Sequence, residues 1–173
     1  MRTLLLLRHA KAGVRGPGLD DRARQLNDRG ERSARAMAGL IADLPDRIDL
    51  ILCSTAERTR QTLGALLQRL NPPPPIDYDD ALYLASDREL AAALALSPDD
   101  ARTVLLVGHN DGIEQLARRL CASGRQPDVT HLRQKYSTGS LAQIALAIDR
   151  WADLPSARGE LLAYTRPRDL GVI

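Results

Sequence analysis

The sequence contains little of what several common protein classes require. Cysteine occurs twice, at Cys53 and Cys121, without C-x-x-C spacing, which excludes a disulfide framework and a clustered zinc site and predicts a reducing compartment. No apolar segment is long enough to span a membrane, and no basic and apolar leader precedes Leu4, so we expect a cytoplasmic protein. The length predicts a single domain over residues 1–173.

Phenylalanine and lysine are also scarce. Phenylalanine is absent, and Lys11 and Lys135 are the only lysines among 24 cations, so nearly all positive charge is arginine. Arginine offers a planar fork that suits phosphate, although we attribute most of its excess to the codon bias of the genome. The net charge is only +2, and the arginines are scattered along the chain. Without a basic stripe and interleaved aromatics, neither a nucleic-acid partner nor a membrane partner is predicted.

The strongest pattern that is present is a run of four leucines near the start of the chain. Residues 4–7 are all leucine, and Arg8 and His9 follow directly, ahead of a glycine-rich segment that begins at Gly13. An apolar run closed in this way predicts a buried strand that delivers two polar side chains to a loop. In open α/β sheets, ligands bind outside the carboxyl ends of the strands. We therefore expect His9 to lie where the chemistry takes place.

Two further apolar runs also end at polar residues. Residues 49–53 lead into a helix that contains Arg58, and residues 103–107 are followed by a glycine and then by His109 and Asn110. Strands that alternate with helices predict a three-layer α/β/α sandwich with a largely parallel central sheet. Because the carboxyl ends of such strands share one edge of the sheet, two histidines and two arginines are expected to converge there.

Helical periodicity predicts four helices between these runs, the first beginning near Asn27. Capping-box spacing places two of the other helix starts at Ser54, with Glu57, and at Ser86, with Glu89. Further strands are expected at residues 76–78, 140–148 and 160–164, and residues 123–135 form a polar stretch without a clear pattern. The apolar positions assigned to the buried helix faces are Ala34, Met37, Ala38, Ile41 and Leu44; Leu63, Leu66, Leu67 and Leu70; Leu90, Leu94 and Leu96; and Ile113, Leu116, Ala117 and Leu120.

The expected cluster of side chains suits phosphoryl transfer through a phosphorylated histidine. Such transfer needs an aligned nucleophile and neutralisation of the charge on the phosphoryl oxygens. Arg8 and Arg58 can each bind phosphate oxygens through two parallel hydrogen bonds, and His109 can donate another. As the nucleophile, His9 must be unprotonated on the attacking nitrogen, so its other ring nitrogen must donate, and the backbone near Gly13 is the expected acceptor.

Three segments resemble the histidine phosphatase superfamily, and more narrowly its short SixA-type phosphohistidine phosphatase branch. They are LLLRHAKA at residues 5–12, CSTAERTRQT at residues 53–62 and VGHND at residues 107–111. The stretch LYLAS at residues 82–86 and the stretch KYSTGS from Lys135 are similar to features of the branch. The likeness spans most of the chain and implies a phosphoglycerate-mutase-like fold.

The resemblance also implies a role for each residue of the cluster. His9 would be the nucleophile, and Arg8, Arg58 and His109 would form the phosphate pocket, with Asn110 beside them. The implied enzyme is a phosphatase that uses neither a metal nor another cofactor. Its substrate would be a phosphorylated protein, in particular one carrying phosphohistidine, or a small phosphorylated molecule.

The acid that would protonate the leaving group is left open between two carboxylates. Asp80, three residues before Tyr83, occupies the position where mutase-like relatives carry a glutamate, and Asp21 in the first loop is the alternative. An imidazole leaving group, with a free pKa near ~6.5, needs less help than an alkoxide. The uncertain acid therefore slightly favours N-phosphorylated substrates.

Other interpretations compete with this one. Only four residues separate Cys53 from Arg58, one fewer than a cysteine-phosphatase loop requires, and we expect Cys53 to be a buried structural residue. No P-loop motif is present, so a P-loop nucleotide-binding site is disfavoured. A small-molecule phosphomonoesterase of the same superfamily and a non-catalytic phosphate-binding module stay open as alternatives. His131 is expected at the surface.

Overall fold

Seven strands form one mixed sheet in the computed structural model, which describes residues 1–172, with β1 in the middle of the sheet. The order across the sheet is β3-β2-β4-β1-β6-β7-β5, with antiparallel pairing only between β1 and β6 and between β6 and β7 within the described residues. The largely parallel sheet predicted from the sequence is confirmed. The strands are β1 (Arg2–Arg8), β2 (Leu50–Ser54), β3 (Ile76–Asp79), β4 (Thr103–Gly108), β5 (Cys121–Gly124), β6 (Leu141–Leu146) and β7 (Gly159–Thr165).

The leucine run of β1 is buried because both faces of the sheet are covered. Side chains alternate across a strand, so Leu4 and Leu6 enter the hydrophobic core on one face, and Leu5 and Leu7 enter the core on the other. All four are essentially inaccessible to solvent. Packing on both faces therefore fixes the position of β1, and with it the position of His9, which directly follows the strand.

Five helices complete the two outer layers. Apolar residues of α1 and α2 belong to one core, and those of α3, α4 and α5 belong to the other, which confirms the three-layer sandwich. No helix among residues 1–172 is both long enough and apolar enough to cross a membrane. The helices are α1 (Asp28–Ala42), α2 (Glu57–Leu67), α3 (Asp87–Ala95), α4 (Gly112–Leu120) and α5 (Gln126–Gln134).

The two predicted capping boxes have different outcomes. The box of Ser86 and Glu89 is present at the start of α3. The box at Ser54 is wrong, because α2 begins at Glu57 after Ala56, with no side-chain cap, and Ser54 is the last residue of β2. Its hydroxyl is bound to His109 instead. Leu96 was also wrongly assigned to a buried face: it follows the last residue of α3 and is 86% exposed.

Residues 123–135 contain half of β5 and all of α5, two elements that the sequence pattern did not reveal. β5 pairs only with the distant β7, and α5 buries just two apolar side chains, Val129 and Leu132, together with Asp128. A pairing partner so far along the chain and a short, mostly polar helix leave little periodic signal. α5 nevertheless lines a cleft beside the candidate active site that is described below.

Candidate active site

The carboxyl ends of three parallel strands bring the polar residues together. β1 and β4 are in register with Arg8 opposite Gly108, and the backbone N–H of His9 donates to the Gly108 carbonyl at 3.0 Å. The rings of His9 and His109 lie 5.3 Å apart between their centroids. Ser54, at the end of β2, joins them through its hydroxyl. The predicted meeting point at this edge is therefore occupied by both histidines.

The hydrogen bond of His9 fixes which of its ring nitrogens carries the proton. Nδ1 lies 2.7 Å from the carbonyl oxygen of Ala10, and a carbonyl only accepts, so Nδ1 is the protonated nitrogen and Nε2 keeps a free lone pair. Burial, opposed by this hydrogen bond and assisted by the charges of Arg58 and Arg8, lowers the pKa of His9 to about 4. The acceptor is the adjacent Ala10, so the expected partner near Gly13 was wrong.

His109 has the opposite tautomer. Its Nδ1 lies 3.3 Å from a guanidinium nitrogen of Arg58, which only donates, and its Nε2 lies 2.8 Å from the hydroxyl of Ser54. Nε2 therefore carries the proton and donates it to Ser54. Burial, followed by the neighbouring His9 and Arg58, lowers the pKa of His109 to about 3. Both imidazoles are consequently neutral at pH 7.

Arg58 is the most deeply placed cation of the cluster, with only 2% of its surface exposed. It donates to the backbone carbonyl of Asp21 at 2.7 Å and to the Asp21 carboxylate at 3.0 Å. The same carboxylate accepts a hydrogen bond from the Tyr83 hydroxyl and lies 3.2 Å from Arg24. The hydrogen bond from Tyr83, with Arg58 and Arg24, holds the pKa of Asp21 below its usual value. Asp21 is thus an anion that orients Arg58.

Arg8 and Asn110 both contact the carbonyl of Tyr136. Arg8 donates to it at 2.6 Å, and Asn110 donates to it at 3.3 Å and to the Glu114 carboxylate at 2.8 Å. The Nε atoms of Arg8 and Arg58 are buried without a hydrogen-bond partner in residues 1–172. A buried donor without a partner costs free energy. Each of the two guanidinium groups can therefore still donate a hydrogen bond to a bound anion. Asn110, by contrast, has its amide hydrogens engaged.

The spacing S-x-x-x-R-x-x-Q-T is explained by the separate contacts of its four specified residues. Ser54 binds His109, and Arg58 reaches the cluster one helical turn later. The side chain of Gln61 accepts the backbone N–H of Leu26 at 2.8 Å and so holds the first loop. The Thr62 hydroxyl accepts the backbone N–H of Ala10 at 3.0 Å and donates to the Arg58 carbonyl at 2.7 Å. Helix α2 therefore positions both the loop and the backbone beside His9.

Asp80 lies farther out than Asp21. Its side chain is 75% exposed, and its carboxylate accepts hydrogen bonds from Thr55 and, at 2.8 Å, from Arg22. These two bonds, that of Thr55 first, lower the pKa of Asp80. Arg22 also stacks over the ring of Tyr83, 4.3 Å from its centroid. Asp80 is thus joined to the cluster indirectly, through Arg22 and Tyr83 and through Thr55, which follows Ser54.

Cys53 is buried beneath the cluster, as expected for a structural residue. Its thiol donates to the carbonyl of Ser54 at 3.3 Å, and burial raises its pKa to about 12. A thiol with such a pKa is almost entirely protonated at pH 7, and the thiolate is the nucleophilic form. Within residues 1–172, no three histidine, cysteine, aspartate or glutamate side chains are grouped as metal ligands.

The sequence patterns did not predict three parts of the hydrogen-bond network: the contact of Ser54, the Tyr136 carbonyl and the pairing of Asp21 with Arg58. Ser54 was read as a helix cap, although its place at the end of a strand beside β4 could have indicated a site residue. The Tyr136 carbonyl gave no signal, since a backbone acceptor leaves no trace in residue type. The pairing of Asp21 with Arg58 was equally hidden, because 37 residues separate them.

Comparison with known proteins identifies the family of this chain. The sequence profile of the histidine phosphatase superfamily (branch 1) matches residues 4–83. An uncharacterised protein of Mycobacterium tuberculosis is 33% identical over 165 residues, which cover 94% of this chain and 100% of that protein.

Two solved structures are similar over nearly the whole chain. The proposed phosphohistidine phosphatase SixA from Nakamurella multipartitia is 33% identical, with a TM-score of 0.83 over 96% of each chain. The proposed phosphohistidine phosphatase SixA from Agrobacterium tumefaciens is 32% identical, with a TM-score of 0.80 over 96% of this chain and 98% of that one. The chain is thus a phosphatase that belongs to the histidine phosphatase superfamily and, within it, to the SixA-type branch.

Proposed function

We propose that this phosphatase hydrolyses phosphohistidine on other proteins, through a phosphorylated His9, without a metal ion. The observation that carries the proposal is the fixed tautomer of His9, whose Nδ1 proton is bound by the Ala10 carbonyl. This hydrogen bond leaves a neutral Nε2 beside two arginines at pH 7. A nucleophile of this kind needs no general base, because its attacking lone pair is already free.

The reaction divides into two displacements at phosphorus. In the first, Nε2 of His9 forms a bond to phosphorus while the bond to the leaving group breaks, and the leaving group takes up a proton. In the second, water attacks the phosphorus of phosphorylated His9, the P–N bond breaks and inorganic phosphate leaves. Both steps spread negative charge over the phosphoryl oxygens, and the protein has mainly to align and neutralise them.

Arg8 and Arg58 would supply that neutralisation. Each has a buried Nε–H without a partner, and Arg58 is already oriented by Asp21. A guanidinium that is held before substrate binds loses little further entropy on binding and can donate two parallel hydrogen bonds to a phosphate. Lysine could not reproduce this geometry, since it is a point charge on a flexible stem.

Ser54 would allow His109 to become a donor to the phosphate. In the structure, Nε2 of His109 donates to the Ser54 hydroxyl, and Nδ1 accepts from Arg58. A hydroxyl can donate as well as accept. When Arg58 turns toward a phosphate, the proton of His109 can reside on Nδ1 while Ser54 donates to Nε2. His109 then donates to the phosphate and keeps both ring nitrogens satisfied.

The state of the two candidate acids favours phosphohistidine as substrate. Asp21 and Asp80 both have a lowered pKa, so each is an anion at pH 7. A leaving imidazole, whose own pKa is near ~6.5, takes its proton from water far more readily than an alkoxide does. Asp80 is the candidate for assisting a poorer leaving group, since Asp21 is committed to Arg58, but it would first have to take up a proton, which its lowered pKa makes rare at pH 7. The names of the two similar SixA structures point to the same substrate.

A comparison of substrates tests the proposal. We expect kcat/KM for a protein phosphorylated on histidine to exceed kcat/KM for the same protein phosphorylated on serine, and for sugar phosphates, by at least tenfold. A chelator is expected to leave these rates unchanged. Preference for a sugar phosphate would favour the small-molecule phosphomonoesterase. Absence of turnover with every substrate, including nitrophenyl phosphate, would favour a non-catalytic phosphate-binding module.

A further inference from the structure

A second positively charged region lies beside the catalytic cluster. It is a cleft of about 390 Å³ between α1, α5 and the segment after β7, and we call it the basic cleft after Lys11, Arg29, Lys135 and Arg168, which line it. No aspartate or glutamate lines the cleft. None of these four cations has an ion-pair partner among residues 1–172. A fifth cation that lines the cleft, Arg166, is paired with Asp169 at 2.8 Å. The cleft therefore keeps four cations without an ion-pair partner in the described part of the chain.

The basic cleft also collects every lysine of the protein. Lys11 and Lys135 are the only lysines in the sequence, 124 positions apart, and both side chains line this one cleft. A codon bias toward arginine explains the other basic positions but not this coincidence. Lysine is a compact, strongly hydrated charge on a flexible stem, so it can follow a carboxylate at a partner's surface without a fixed bidentate geometry.

The cleft and the nucleophile share one rigid piece of backbone. Lys11 is two residues after His9, and α1 packs so closely on it that a side chain at Gly30 would meet the Lys11 carbonyl oxygen at 2.0 Å. On the other wall, the backbone N–H of Gly139 donates to the His9 carbonyl at 2.9 Å, and the preceding Thr138 lines the cleft. A group bound in the cleft is therefore held in a fixed relation to His9.

We infer that the basic cleft binds acidic residues that flank the phosphohistidine of a protein substrate, an inference that rests on the proposed function. Its four cations are exposed, at the ends of long side chains. A site built for a small phosphorylated ligand uses buried polar groups, whereas exposed cations attract carboxylates spread over the surface of a partner and accelerate its approach. The cleft thus supplies substrate selection that the catalytic cluster, which contacts only the phosphoryl group, does not provide.

A pair of peptides separates docking from catalysis. Both carry one histidine phosphorylated with phosphoramidate; one has four flanking glutamates, and the other has glutamines in their place. We expect wild-type kcat/KM to be roughly three- to tenfold higher for the glutamate peptide, as two or more exposed ion pairs allow. The double variant Lys11→Gln/Lys135→Gln, which keeps Arg29 and Arg168, should lower this ratio at least twofold, and raising the salt from about 0.05 M to 0.3 M should bring it close to one in the wild type.

A matched control removes two charges elsewhere. Arg47 and Arg69 line a separate cleft of about 350 Å³ near the amino end of β2, and Arg47→Gln/Arg69→Gln should leave the ratio as in the wild type. An equal fall in this control would assign the preference to net charge and overturn the inference. A wild type that does not distinguish the two peptides, or a lysine variant that keeps the full preference, would also overturn it.

A binding measurement keeps the two proposals distinguishable. If neither phosphopeptide is hydrolysed, the proposed function fails, while fluorescence anisotropy of the labelled, unphosphorylated glutamate peptide still reports on the cleft. The inference expects this peptide to bind the wild type and to bind Lys11→Gln/Lys135→Gln at least threefold more weakly. Equal binding to the two proteins, or no binding to the wild type, would refute the cleft as the acidic-peptide site.

Discussion

The buried residues of the candidate site, which we call the floor, and the exposed residues around them, which we call the rim, differ in how firmly they are held. The floor consists of His9, Arg58 and His109, all buried, with hydrogen bonds that set both imidazole tautomers before a phosphate binds. The rim consists of Arg22, Asp80 and the basic cleft, all solvent-exposed to a large degree. The fold therefore determines how phosphate is held before any substrate arrives, while the rim can rearrange around whatever carries the phosphate. Changes to the floor should affect every substrate, and changes to the rim should affect some substrates only.

The largest effect short of removing the nucleophile is expected at the arginines of the phosphate pocket. Arg58→Lys removes the two-pronged donor that Asp21 orients, and Arg8→Lys does the same on the opposite side, so each should lower kcat/KM roughly 10²-fold or more for all phosphorylated substrates. Arg60→Lys, two residues farther along α2 and exposed, is the matched control and should retain wild-type activity. Near-normal activity in both pocket variants would place the phosphate elsewhere.

Loss of the Ser54 hydroxyl is expected to have the next largest effect. Ser54→Ala leaves Nε2 of His109 buried without a partner, which costs about 1–3 kcal/mol and should lower kcat/KM roughly tenfold for every substrate. Ser97→Ala removes another buried serine hydroxyl, one without a hydrogen-bond partner in residues 1–172, and serves as the control. Steady-state kinetics that are alike in the two variants would show that the hydrogen bond from His109 to Ser54 does not contribute to catalysis.

How far the sequence predicts this floor depends on how local each contact is. The strand end at His9 and the spacing from Ser54 to Thr62 are short patterns, so the approximate position of Arg58 and both histidines at one sheet edge could be predicted. The Ala10 carbonyl and the Tyr136 carbonyl could not, because backbone acceptors are independent of residue type. Ser54 was misassigned because the same serine spacing also fits a helix cap.

The rim was less predictable for a different reason. It depends on segments far apart in the chain, such as Arg22 with Asp80 and Lys11 with Lys135, whose proximity follows only from the folded sheet. The polar stretch 123–135 hides α5, which forms part of the basic cleft. Exposed charged residues leave no hydrophobic periodicity in the sequence, so sequence patterns predict buried helices and strands more reliably than they predict which surface residues lie together.

Substitutions of Asp21 and Asp80 should differ in how strongly their effect on the rate depends on the leaving group. Asp21→Asn weakens the orientation of Arg58 and should slow all substrates alike. Asp80→Asn should slow an alkyl phosphate, whose leaving group needs a proton, by less than about tenfold, because the Asp80 carboxyl is mostly ionised at pH 7, and should leave the rates with a nitrophenyl phosphate or a phosphohistidine peptide nearly unchanged. Rates with these three substrates check the assignment; a leaving-group-dependent loss in Asp21→Asn alone would move the acid to the first loop.

The smallest expected effect is on the free energy of unfolding, and it arises from the two buried histidines of the floor. Burial holds the pKa of His9 at about 4 and that of His109 at about 3, below the ordinary 6.5 that applies to the unfolded chain. The folded state therefore binds fewer protons between these values. Its stability is fully present above pH 6.5 and falls as the pH drops toward 4.

Denaturant unfolding at pH 7 and pH 5 measures this loss. Each histidine should account for on the order of 2 kcal/mol of it. His109→Asn should show a smaller decrease between the two pH values than the wild type, whatever its stability at pH 7. A decrease as large as that of the wild type would mean that His109 is protonated in the folded state.

The central claim is that His9 accepts the phosphoryl group, and trapping the intermediate tests it most directly. Acid-sensitive phosphohistidine survives alkali, so a single turnover with radiolabelled phosphopeptide, quenched rapidly in alkali, should leave label on the enzyme that mild acid removes. Peptide mapping should place the label on His9 in the wild type and in Cys53→Ser, and His9→Ala should carry none and show no turnover. Label on Cys53, or turnover in His9→Ala at the wild-type rate, would contradict the account.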